Sequence, residues 1–84
     1  MKDQRVLNGI EAQTLVFNAG GKFWREVFGW AQSRDLLSPK ESGILQTAAA
    51  IPAKIPSELQ SIKTVEILRR LHAEGCQLGR EYAH

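Results

Sequence analysis

The chain has 84 residues, 43% of them hydrophobic and 24% charged, with a formal net charge of +2. That length suits one domain, residues 1–84, and leaves no room for a separate cofactor domain. The apolar content excludes wholesale disorder, and so small a positive excess gives little non-specific drive toward a phosphate backbone. Cys76, the one cysteine, has no internal partner, which fits a reducing compartment. No apolar run approaches the ~20 residues of a membrane span, and Met1-Lys2-Asp3-Gln4 opens no signal-peptide core, so a cytoplasmic location without membrane contact is expected.

In chain order, Asp3 is placed to cap a first helix, with Val6, Leu7, Ile10, Thr14 and Phe17 on one side at helical spacing. Gly9 weakens this helix, and Leu15-Val16-Phe17 has a short extended piece as its alternative. Asn18-Ala19-Gly20-Gly21 breaks the chain, because adjacent glycines favour a turn. Lys22 to about Arg34 reads as a second helix. Phe23, Val27 and Trp30 fall on one line and Trp24, Phe28 and Ala31 on the line beside it, forming a wide aromatic stripe.

Ser38-Pro39-Lys40-Glu41 is a capping box that opens a third helix, with a serine N-cap, proline at the first helical position and glutamate at the third. Ile44, Leu45, Ala48 and Ala49 turn inward, and the helix ends near Ile51. The connection Ile51-Pro52-Ala53-Lys54-Ile55-Pro56 cannot continue it. Ser57 and Gln60 repeat the capping box for a fourth helix that reaches about Glu74. Ser61, Thr64, Val65, Leu68, Leu71 and His72 share one face; Glu66–Arg70 and Arg70–Glu74 stand at the favourable i,i+4 spacing opposite. Gly75 occupies the left-handed position past the helix end, with Cys76 against Leu71. The tail 77–84 is expected to fray, with Leu78 or Tyr82 as docking points. The fold class is all-α, a bundle of three to four short helices.

No catalytic constellation emerges. Gly20-Gly21-Lys22 looks like the end of a phosphate-binding loop, but that motif requires glycine where Val16 stands and a hydroxyl residue where Phe23 stands. His72 and Cys76 are four apart, yet Gly75 interrupts the helix between them and terminal His84 is the other histidine, so His72 reads as a partly buried, hydrogen-bonded side chain rather than a zinc ligand. The carboxylates are dispersed, and nothing groups a nucleophile with a base. The expected protein is therefore not an enzyme and uses no metal or cofactor.

Two binding readings remain. Trp24 and Trp30 lie about 120° apart around the second helix, so Trp24, Phe28 and Trp30 are candidates for a surface that binds a protein partner or a second copy. The third and fourth helices instead invite comparison with a helix-turn-helix DNA reader, with Ser57, Gln60, Lys63 and Thr64 as contacting residues. Their connection is longer than the usual turn of about three or four residues, and glutamates break any basic stripe, so DNA is the lesser reading.

Over about residues 23–78 the chain resembles the C-terminal helical segment of bacterial abortive infection phage resistance (AIPR) type proteins. The residues concerned are Phe23-Trp24-Arg25-Glu26, Trp30-Ala31, Leu36-Leu37-Ser38-Pro39-Lys40-Glu41, Ile44-Leu45, Ile55-Pro56-Ser57-Glu58 with Gln60, and Glu74-Gly75. The resemblance implies an accessory or docking segment, part of or partner to a phage-defence or mobile-element protein. It carries over no catalytic residue.

Overall fold

The computed structural model of the chain describes residues 8–79. Four helices follow one another, α1 (Gly9–Ala19), α2 (Gly21–Ser33), α3 (Pro39–Ala49) and α4 (Glu58–Ala73), and no strand occurs among the described residues. α2 packs chiefly on α3 and α1 on α4, with a smaller α3–α4 contact closing the core.

Each helix start but one has a side-chain cap. At α3, Ser38 Oγ accepts from the Glu41 N–H and Glu41 Oε1 accepts from the Ser38 N–H; Ser57 and Gln60 do the same at α4. α1 has a third box, which the sequence reading passed over: Asn8 Oδ1 accepts from the Glu11 N–H and Glu11 Oε1 from the Asn8 N–H. The cap of α1 is thus Asn8; Asp3, Val6 and Leu7 lie outside the described residues. Leu15-Val16-Phe17 is helical rather than extended. Gly9 is the first helical residue, where an interior propensity cost does not arise, and a Cβ there would stand 2.6 Å from Glu58 Cβ. α1 and α4 therefore approach closely at this end.

α2 and α4 end through left-handed residues. Past α4, Gly75 has φ 107°, the Cys76 N–H donates to Leu71 O at 3.0 Å and the Gly75 N–H to His72 O at 3.1 Å. These are the two bonds of a Schellman motif, and buried Cys76 supplies its apolar contact to the core. α2 ends the same way with Asp35 at φ 57° and Leu36 N–H donating to Ala31 O; aspartate is among the few residues that tolerate this conformation. Leu78 docks on the core, and its carbonyl lies 2.6 Å from His72 Nε2. Tyr82 and His84 lie outside the described residues.

Gly21 serves packing. A Cβ there would fall on the Ile51 carbonyl oxygen and 2.8 Å from that of Ala49. The start of α2 thus abuts carbonyls at and just past the end of α3, and Arg25 Nη1 donates to Ala49 O at 3.0 Å beside it. α3 ends at Ala49, short of buried Ile51.

The core joins Ala12 and Val16 of α1, Trp24, Val27 and Ala31 of α2, Leu45 and Ala48 of α3, and Val65, Ile67, Leu68 and Leu71 of α4. Because α4 touches both α1 and α3, its buried arc is broader than one neighbour requires and takes in Ile67 beyond the face read from spacing. Thr64 Oγ1 donates back to Gln60 O at 2.7 Å, while buried Ser61 Oγ has no partner among the described residues. Arg70 does not build the ladder with Glu66 and Glu74. Its Nη2 reaches across to Glu41 Oε1 at 2.8 Å and Leu36 O at 2.9 Å, tying α4 to the capping box of α3.

Candidate interaction surface

The aromatic stripe of α2 is oriented differently from the sequence reading. The buried line is Trp24, Val27 and Ala31, each with no exposed area. Trp24 Nε1 donates to Val16 O at 3.0 Å, so the indole satisfies its one donor inside the core. Its ring meets Phe23 edge-on, centroids 4.8 Å apart at 78°. Trp24 is therefore a core residue, not a surface contact. Phe28 and Trp30 are partly buried and packed on the core. The Arg34 guanidinium lies 4.2 Å from the Trp30 ring centroid, and its Nη1 donates to Trp30 O at 3.1 Å, so a face of that ring is already covered.

The four candidate DNA-contacting residues are not gathered into a reading surface either. Ser57 and Gln60 hold each other in the capping box. Thr64 is fully buried. Lys63 is exposed and lines a groove of ≈ 350 Å³ between α3 and α4, where Glu41 and Glu66 stand among Lys40, Lys63 and Arg70. The basic side chains share the groove with carboxylates, and one of them, Arg70, is already held by Glu41.

Of the side of the first helix that spacing groups together, the described residues Ile10, Thr14 and Phe17 face out. α1 packs on α4, with Gly9 against Glu58 and with Ala12 and Val16 buried in the core. Ile10 and Phe17 sit roughly 130° away around the helix, where no described helix covers them. Ile10 is 67% exposed, Phe17 43%, Ile55 61% and Leu59 64%. Phe17 and Ile55 line one shallow concavity of ≈ 320 Å³ with Gln13, Thr14 and Asn18. Gln13 Nε2 donates to Pro56 O at 2.8 Å and fixes the connection that carries Ile55 beside α1. All five lining residues are uncharged. The signal for Ile10 and Phe17 was present as helical spacing; Ile55, in a loop, had none.

Among the described residues no group of three or more His, Cys, Asp or Glu is placed to hold a metal ion. No described helix is long and apolar enough to cross a membrane. Compared with known proteins, the chain matches no family model, and no curated protein or solved structure matches it.

Proposed function

We propose that this chain is a non-catalytic protein-interaction module whose contact surface is the outward face of α1 with the adjoining loop, in place of the α2 stripe. The observation that carries the reading is the exposure of Ile10, Phe17 and Ile55, with Phe17 and Ile55 in one uncharged concavity. Exposed apolar residues scattered singly need no explanation, but a group of them framed by polar amides has the composition of an interface centre, where charge is depleted. The resemblance to AIPR C-terminal segments supports the same role, an accessory piece that docks within or beside a bacterial phage-defence or mobile-element protein in the cytoplasm.

A photo-reactive residue at position 14, with position 22 as control, tests the reading in cells. Exposed Lys22 lies outside the concavity. A discrete protein adduct from position 14 is expected, lost when Phe17→Asp is added and absent from position 22. Equal labelling from both positions sinks the assignment.

A further inference from the structure

We infer that the partner of the α1 face is a second copy of this chain, bound across a two-fold axis that passes beside Gln13 and Thr14. The inference rests on the interaction-module reading and names its occupant. A two-fold contact sets each residue near the axis against itself, so any charge there meets its like. α1 is suited to that constraint. Its outward residues Ile10, Gln13, Thr14, Phe17 and Asn18 carry no charge, and the concavity they adjoin has none.

The spacing is self-complementary as well. Ile10 and Phe17 lie equally far from the midpoint of the 13–14 pair, so antiparallel α1 helices related by this axis set Ile10 of one copy against Phe17 of the other. Each Ile10 then enters the other copy's hollow between Phe17 and Ile55, and each Phe17 lies over the other copy's Ile10. Thr14, the shortest side chain near the axis, lets the helices approach. Asn18 flanks the contact, and its exposed amide both donates and accepts, which a symmetric contact requires.

Sedimentation velocity of the purified chain, from micromolar to millimolar, measures the association. The wild type is expected to dimerise, and Ile10→Asp and Phe17→Asp, with helical circular dichroism retained, to weaken it by at least about tenfold (a 1.4 kcal/mol change). A second measurement does not depend on how those variants fold. Thr14→Cys should form a disulfide-linked dimer under mild oxidation many times faster than Lys22→Cys. A wild type monomeric throughout, or equal cross-linking at the two positions, overturns the second-copy assignment. A monomeric chain whose position-14 adduct is another protein, or residues 1–7 of the same chain, also overturns it; the first leaves the module reading standing and the second removes it.

Discussion

α1 and α2 both carry large apolar side chains at helical spacing, yet only α2 buries the centre of its stripe. Trp24, Val27 and Ala31 face α3 and the core with no exposed area, while Ile10 and Phe17 of α1 stand in the open. The cause is the neighbour each helix meets. α2 reaches α3 through Gly21, whose missing Cβ admits the carbonyls of Ala49 and Ile51. α1 meets α4, closely at Gly9, and has little contact with α2. Periodicity identifies an apolar face; which face is covered is decided by the helix that can come closest.

The contrast yields measurable differences. Trp24→Ala should cost the most, about 3–5 kcal/mol by denaturation, since it empties a core site and strips Val16 O of a donor. Phe17→Gln, the matching change on α1, should stay within about 0.5 kcal/mol of wild type. Comparable losses at both would erase the distinction. Gly21→Ala should destabilise by about 1–3 kcal/mol, because a methyl group there must displace backbone rather than a flexible side chain; thermal unfolding would reveal it, and a neutral result would loosen the α2–α3 contact we describe. Smaller again, Asn8→Ala, Ser38→Ala and Ser57→Ala should each lose about 1 kcal/mol in chemical denaturation. Ser61→Ala should be neutral or stabilising by less than about 1 kcal/mol, because it removes a buried hydroxyl that has no partner among the described residues.

Local chemistry was the legible part. Ser38 with Glu41, Ser57 with Gln60, and Gly75 with Cys76 carry their signals within a few residues of chain, and each forms the motif read from it. Asn8 with Glu11 carries the same signal, and it is Asn8 that caps α1. Long-range choices were not legible. Nothing near Arg70 announces that it spans to Glu41 on another helix, and nothing near Ile55 announces that Gln13 holds its loop against α1. The residues we propose for the contact fell on this second kind of information. The tryptophan most suggestive of binding is the one whose indole nitrogen finds a carbonyl inside the core.

Amide ¹H–¹⁵N spectra recorded as the chain is diluted from millimolar to micromolar test the central claim most directly, because they locate the contact surface by residue. The account predicts concentration-dependent shifts gathered on Ile10, Thr14, Phe17, Asn18 and Ile55, with Trp24, Phe28 and Trp30 unmoved. Shifts gathered on the α2 aromatics, or none across the range, would contradict it.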